Sequence, residues 1–108
     1  MKKSIPFEEY LLDQLSDPAY ARTYLETALK QYGRDRDAES FLLALRDVAE
    51  AQGGLGKLSG ETGLNRAGVY KALSPRGNPR LDTIEKILRH LGFRLSIEAL
   101  ETEETVTV

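Results

Sequence analysis

The chain has 108 residues, of which 41% are hydrophobic and 30% charged, and its formal net charge at pH 7 is −2. This length and composition are typical of one globular domain with a modest core. The absence of cysteine excludes disulfides, thiolate metal sites and a cysteine nucleophile. No apolar run approaches the roughly 20 residues of a membrane span. The first residues turn acidic where a signal peptide would turn apolar. We therefore expect a cytoplasmic protein with no membrane partner.

Three helices are predicted in the first half of the chain. Apolar residues at three- and four-residue intervals predict a helix over 7–15. Asp17 and Pro18 are a favoured N-cap and first-turn residue, so a second helix should begin there and end at Gly33. A third amphipathic helix is expected over 37–53. The second helix should bury the face formed by Tyr20, Ala21, Tyr24, Leu25, Ala28, Leu29 and Tyr32.

Residues 54–80 have the pattern of a helix-turn-helix followed by a loop. Two short helices that cross steeply need a small residue where they touch, for which Ser59 is suited. Gly63 tolerates the positive φ of the turn, and Asn65 is a good N-cap for the second helix. The pattern places Leu55, Leu58, Leu64, Val69 and Ala72 on buried faces, and leaves Arg66, Ala67, Tyr70, Lys71 and Ser74 facing out.

The outward residues of this helix pair favour DNA binding. The N-terminal residues of the second helix reach base edges in such motifs, so Arg66 is the first candidate for a base contact, bidentate to guanine. Tyr70 is suited to a thymine methyl or a phosphate, with half-buried packing as its alternative, and Lys57 is either a backbone contact or a solvated lysine. The predicted DNA-binding residues are Lys57, Asn65, Arg66, Ala67, Tyr70, Lys71, Ser74, Arg76, Asn78 and Arg80.

Charge is distributed unevenly along the chain. Residues 57–94 carry eight basic and three acidic side chains, whereas residues 1–56 have a net charge of −3 and residues 95–108 of −4. This polarity suggests one surface for a polyanion and a second for another partner, such as a basic protein. Two alternatives stay open: a solvated face, and a tight helix pair with no ligand.

The last part of the chain combines a helix with a strand-like segment. Asp82 and Glu85 have capping-box spacing, and Gly92 closes the helix. His90 has no second metal ligand at a suitable spacing and is expected at the surface. Residues 93–99 alternate with a period of two, which predicts a short strand. A lone strand needs a partner, so we expect a homodimer, and the alternative is an edge strand or coil. The predicted dimer residues are Phe93, Leu95, Ile97 and Ala99.

The expected fold class is all-α with a short C-terminal β-strand: a phage-repressor-like helix-turn-helix bundle with the N-terminal helices packed against it. The single domain covers 1–100, with N-terminal helices in 1–53, a DNA-binding part in 54–92 and a dimerising strand in 93–100. Residues 101–108 are polar and expected to be disordered.

The whole chain resembles the addiction-module antidote proteins, HigA-like antitoxins with a phage-repressor-type (XRE-type) helix-turn-helix. The match is carried by residues 17–21 (DPAYA), the pairs 24–25 and 28–29, residues 41–49 (FLLALRDVA) and, most specifically, residues 69–79 (VYKALSPRGNP). The resemblance implies an antitoxin of a type II toxin-antitoxin module that binds its own promoter as a dimer. It also implies that the protein neutralises a small toxin of the RelE/ParE type and represses more tightly with toxin bound.

The chain departs from the family in the second helix of the motif. Family members commonly carry serine at position 65 and a larger polar residue near Ala67 or Gly68, so we expect a different operator sequence. Gly68 costs the helix up to about 1 kcal/mol relative to alanine. Close approach to DNA and close approach to the first helix of the pair both explain a glycine here.

Three other functional classes are an enzyme, a stand-alone repressor and a protein-interaction adaptor. One histidine, no cysteine and no nucleotide-binding glycine motif argue against an enzyme, and no cofactor is expected. A stand-alone phage-type repressor without a toxin partner is the main alternative, and a protein-interaction adaptor is a third. For the toxin, the acidic N-terminal region offers a docking surface, where Tyr10, Tyr20, Tyr24 and Tyr32 either fill a helix seam or meet the partner.

Overall fold

The computed structural model describes residues 7–100, which form six helices. They are α1 (Phe7–Leu15), α2 (Pro18–Asp35), α3 (Glu39–Ala51), α4 (Leu55–Thr62), α5 (Arg66–Ala72) and α6 (Leu81–His90). The predicted helical bundle is confirmed. No helix in this part of the chain is both long enough and apolar enough to cross a bilayer.

One hydrophobic cluster runs through the bundle. Helices α1 and α2 pack against α3, which also contacts α4, and α4 in turn packs against α5 and α6. The fully buried large side chains come from every helix except α2: Leu15, Leu45, Val48, Leu55, Leu58, Val69 and Ile87, with Leu73 just after α5. Because α3 contacts both halves of the bundle, it fixes the N-terminal helices against the α4–α5 pair.

The N-terminal end of α2 lies where the sequence predicts it, and the C-terminal end does not. The Asp17 side chain accepts a hydrogen bond from the Ala19 N–H (3.2 Å) ahead of Pro18, as predicted. The predicted stop at Gly33 is wrong, since α2 ends at Asp35 and is capped by Arg36, whose φ is 62°. A glycine inside a helix costs only about 1 kcal/mol, so it does not force a stop.

The backbone N–H of Asp37 donates to Asp35 and lowers the pKa of the Asp35 carboxyl.

The predicted apolar face of α2 is buried only in part. Ala21 and Leu25 are buried, whereas Tyr20, Leu29 and Tyr32 are 42%, 47% and 39% exposed. Leu29 and Tyr32 lie in the part of α2 beyond Ala28, where every residue of the helix is exposed. Tyr20 is exposed in the first turn.

Tyr24 is the tyrosine of α2 that packs against the core. Its hydroxyl donates a hydrogen bond to the Asp47 carboxylate of α3 (3.0 Å). Burial, followed by this hydrogen bond, raises the pKa of Tyr24 to about 12. Tyr24 therefore links α2 to α3 through both packing and a polar contact.

Helix α6 begins differently from the prediction. Its N-cap is Arg80, so Asp82 lies in the first turn and the capping box predicted from Asp82 and Glu85 is wrong. Arg80 donates to the Asp82 carboxylate (3.2 Å), and this hydrogen bond lowers the pKa of Asp82. An acidic residue in the first turn also interacts favourably with the helix dipole, which gives Asp82 a role there without capping.

The end of α6 agrees with the prediction for Gly92. Gly92 has φ 94°, its N–H donates to the Arg89 carbonyl, and the Phe93 N–H donates to the Leu88 carbonyl (2.8 Å). This pair of bonds is a Schellman motif, in which glycine supplies the left-handed residue.

His90 does not lie on an open surface as predicted. Its side chain is only 11% exposed, and Nδ1 lies 3.3 Å from Oε1 of Glu61 in α4. The packing of α6 against α4 covers this position. The histidine is thus part of the seam between the two helices.

The predicted C-terminal strand is wrong: within residues 7–100 the structure contains no strand. Residues 93–100 are neither helical nor paired in a sheet, because this part of the chain holds no second extended segment that could complete a ladder. Phe93 packs against the core, whereas Leu95, Ile97 and Ala99 are exposed. The prediction of a disordered tail over 101–108 lies outside the described residues.

Candidate nucleic-acid interface

A three-residue turn joins α4 to α5. Gly63 has φ 77° and its N–H donates to the Ser59 carbonyl (3.0 Å), which confirms the need for a residue that tolerates positive φ. The Ser59 hydroxyl donates to the Leu64 carbonyl (2.6 Å), and the Thr62 hydroxyl both donates to the Leu58 carbonyl and accepts from the Leu64 N–H. The turn therefore has few polar groups free to rearrange, and it holds α5 in a defined direction.

Helix α5 is capped and anchored as the sequence predicts. The Asn65 side chain accepts a hydrogen bond from the Gly68 N–H (3.0 Å). Val69 is 1% exposed and Leu73 is fully buried, so the inner face of α5 is fixed in the core. The opposite face is left to solvent, with Arg66, Ala67, Tyr70 and Lys71 exposed.

Arg66 lies at the start of α5 against two neighbours. Its Cζ atom lies 5.8 Å from the centre of the Tyr70 ring and 3.8 Å from the point where a Cβ at Gly56 would stand. Tyr70 itself is 37% exposed. The ring is therefore packed in part against its neighbours, and its predicted contact with DNA stays a prediction.

No contact within the described chain requires a glycine at position 68. A Cβ there would meet only Asn65 atoms, at 3.7 and 3.9 Å, which are ordinary contacts. Close packing against α4 thus does not account for Gly68. It lies exposed in α5, beside the outward side chains.

The loop after α5 is tied back to the helix end. The Ser74 hydroxyl donates to the Lys71 carbonyl (2.8 Å), and the Gly77 N–H donates to the Ser74 carbonyl (2.9 Å). Ser74 was predicted to face out, but it is half-buried, and its hydroxyl is used in this contact. Arg76 and Asn78 are exposed on the loop.

The cations of this face differ in how they are partnered. Within residues 7–100, no carboxylate lies within 4.0 Å of Lys57, Arg66, Lys71 or Arg76, whereas Arg80 pairs with Asp82. The Lys57 side chain lies against Gly53, so that both its stem and its ammonium group are close to this residue just before α4. The structure thus brings the predicted basic residues to α4, α5 and the adjoining loop, with most of their charges unneutralised.

Arg46 belongs to the same surface and was missed by the sequence analysis. It extends from α3, and its Cζ atom lies 5.5 Å from the centre of the Tyr70 ring. The helical spacing of α3 places Leu42, Leu45 and Ala49 inward and leaves Arg46 on the flank. The sequence therefore indicates an outward arginine, but its neighbour depends on how α3 meets α5.

In the part of the chain that the structure describes, no cluster of histidine, aspartate and glutamate is suited to a metal ion.

Comparison with known proteins places this architecture in a family. A family model described as "Probable addiction module antidote protein" matches residues 7–99. A protein of Haemophilus influenzae, described as uncharacterized, is 30% identical over 74 residues, which cover 68% of this chain and 75% of the relative. No solved structure matches the chain. On the extent of the family match, the chain belongs to the probable addiction module antidote proteins.

Proposed function

We propose that this chain is the antitoxin of a type II toxin-antitoxin module, and that it binds its own promoter as a dimer through α4, α5 and the loop that follows. The observation that carries the DNA-binding part is the exposed basic face of α5 and its surroundings, whose cations lack carboxylate partners within residues 7–100. Such a face is suited to neutralising backbone phosphates.

The placement of individual residues supports a division of labour. Arg66 lies in the first turn of α5, from which a recognition helix reaches base edges in the major groove. Lys57, Lys71, Arg76, Asn78 and Arg80 flank it and are suited to the sugar-phosphate backbone. The side chain of Ala67 is a methyl group and Gly68 has none, so the α5 backbone can approach the DNA closely at these positions.

The dimer is proposed to form through residues 93–99. Ile97 is 96% exposed and Leu95 is 41% exposed. Burial of such exposed apolar side chains against a second copy removes a large apolar area from water and favours association. Phe93, which packs against the core, anchors the segment to its own protomer.

The antidote family implies a toxin partner and a regulatory role rather than catalysis. We propose a basic toxin of the RelE/ParE type, docked on the N-terminal helices. Phe7, Tyr10, Tyr20 and Tyr32 are exposed there, close in sequence to the exposed acidic residues Glu8, Glu9, Asp13, Asp17 and Glu26. Exposed aromatic groups beside negative charge are suited to a basic protein surface.

Salt-dependent binding to the promoter tests the DNA-binding proposal. The full chain should bind its upstream region more tightly than a random duplex, and the affinity should fall steeply between about 50 and about 200 mM salt. Affinity that is low and insensitive to salt would contradict it.

Co-expression with the adjacent small gene tests the toxin proposal. We expect rescue of growth and co-purification of the two products as one complex. Intact promoter binding with neither rescue nor co-purification would identify a stand-alone repressor instead.

A further inference from the structure

The Tyr70 ring brings together two arginines from different helices. The Cζ atoms of Arg46 in α3 and Arg66 in α5 lie 5.5 and 5.8 Å from the ring centre. Both distances fall within the roughly 6 Å over which a cation is attracted to the face of an aromatic ring. Arg46, which lies outside the α4–α5 pair, therefore contacts the same ring as Arg66, the arginine best placed for a base contact.

Arg66 has a second contact that fixes its position. The point where a Cβ of Gly56 would stand is 3.8 Å from Cζ and 4.0 Å from Nη2 of Arg66. The guanidinium thus lies close to the first turn of α4 as well as to the Tyr70 ring. Free arginine side chains lose considerable rotamer entropy when they bind, so positioning before DNA arrives lowers that cost.

Arg46 is half-buried and carries its charge without an acidic partner. The neighbouring Asp47 accepts its hydrogen bond from the Tyr24 hydroxyl. Among the described residues, no carboxylate lies within 4.0 Å of Arg46. Two positive charges that share one ring repel each other, and a polyanion at this surface relieves that repulsion.

We propose that Arg46 contacts a backbone phosphate of the bound DNA, and that Tyr70 is a positioning residue that holds Arg46 for this phosphate and Arg66 for a base edge. This inference rests on the proposed function of the α4–α5 face. It extends the contact surface onto α3, outside the helix pair. It also gives Tyr70 a role that needs the aromatic ring and not the hydroxyl.

The first test removes the charge of Arg46. Arg46→Gln removes the charge but keeps an aliphatic stem with a polar end group, and Arg34→Gln is a matched control on an exposed turn of α2. Binding is measured on the promoter fragment and on a random duplex across the same salt series. Arg46→Gln should weaken binding to both by about tenfold. It should also reduce the slope of log affinity against log salt by about 0.9. Arg46→Lys should restore the slope, and Arg34→Gln should behave as wild type.

The second test separates the ring of Tyr70 from its hydroxyl. Tyr70→Phe should retain both the affinity and the salt slope, whereas Tyr70→Leu should lose affinity for promoter and random DNA and reduce the discrimination between them. In the Tyr70→Leu protein, Arg46→Gln should cause a smaller further loss than in wild type, because Arg46 is no longer positioned. Fully additive losses would overturn the positioning role.

The outcomes distinguish this inference from the function on which it rests. Salt-sensitive binding by wild type, with Arg46→Gln indistinguishable from Arg34→Gln, would overturn the Arg46 contact and leave the DNA-binding proposal standing. Absence of salt-sensitive binding by wild type would overturn both.

Discussion

The carbonyl oxygen of Ala72 occupies the space that a side chain at Gly77 would need. A Cβ at Gly77 would overlap that oxygen and would lie 2.7 Å from the carbonyl oxygen of Lys71. Both obstacles are backbone atoms, which cannot move aside by changing rotamer. The loop that carries Arg76 and Asn78 is therefore packed tightly against the end of α5.

Gly77→Ala should lower the free energy of unfolding by about 1–3 kcal/mol, since it inserts a methyl group where the backbone leaves no room. Urea denaturation of the two proteins measures the difference. Gly60→Ala is the matched control, because Gly60 is an exposed helical glycine with nothing within 4 Å of an added Cβ. It should raise the free energy of unfolding by up to about 1 kcal/mol. Equal stabilities for the two variants would contradict the close approach.

Asn65→Ala should lower the free energy of unfolding by about 1 kcal/mol, because it removes the acceptor for the Gly68 N–H at the start of α5. Asn65→Ser provides the control, since serine also caps helices well. Thermal unfolding of the three proteins gives the comparison. Equal destabilisation by serine and alanine would show that the loss does not come from the cap hydrogen bond.

The helix pair was predictable because its determinants are local. A glycine at positive φ, a small residue at Ser59 and an asparagine cap are all contained within residues 59–68. The prediction of a C-terminal strand failed because a strand does not depend on local sequence alone. Its alternating pattern is local, but a sheet needs a second segment, which the described chain does not contain.

The contacts of the candidate site were predictable only in part, for the same reason. The outward position of Arg66 follows from the spacing of α5, whereas the Arg46–Tyr70 contact depends on the tertiary packing of α3. His90 entered the α4–α6 seam through tertiary packing as well.

Arg66→Ala should reduce operator affinity by about 1–3 kcal/mol and relax the preference at one base pair, because it removes the proposed base contact. Arg80→Ala should weaken binding to all sequences alike, since Arg80 is proposed to touch the backbone. Competition binding with single-base-pair operator variants distinguishes the two. Equal losses on operator and random DNA for Arg66→Ala would show that Arg66 reads no base.

Tyr24→Phe should lower the free energy of unfolding by about 1 kcal/mol near neutral pH, because it removes a half-buried hydrogen bond to Asp47. The pKa of Tyr24 is raised from 10.0 to about 12 in the folded protein. Its stabilising contribution is therefore fully present below pH 10 and is lost as the pH rises through about 12.

Denaturation across this alkaline range measures the effect of Tyr24. Wild type should lose more stability than Tyr24→Phe, and Tyr10→Phe, at an exposed position, should follow wild type. Parallel pH profiles for wild type and Tyr24→Phe would refute the assignment.

Ile97→Glu should shift the protein from dimer to monomer, because it places a charge in the proposed contact between copies. It should leave the helical content of the protomer unchanged, as measured by far-UV circular dichroism, since Ile97 is 96% exposed. Sedimentation velocity at several concentrations measures the association. A variant that sediments as wild type would show that residues 93–99 do not carry the dimer.

Footprinting of the promoter by the full chain is the decisive test of DNA binding through α5. Two protected patches are expected on an inverted repeat, roughly one helical turn or about 34 Å apart, from two copies that each present α5 to the major groove. Arg66→Ala should erase both patches at a concentration where Arg34→Ala preserves them. A promoter left unprotected by wild type at low salt would show that the chain does not bind it through α5.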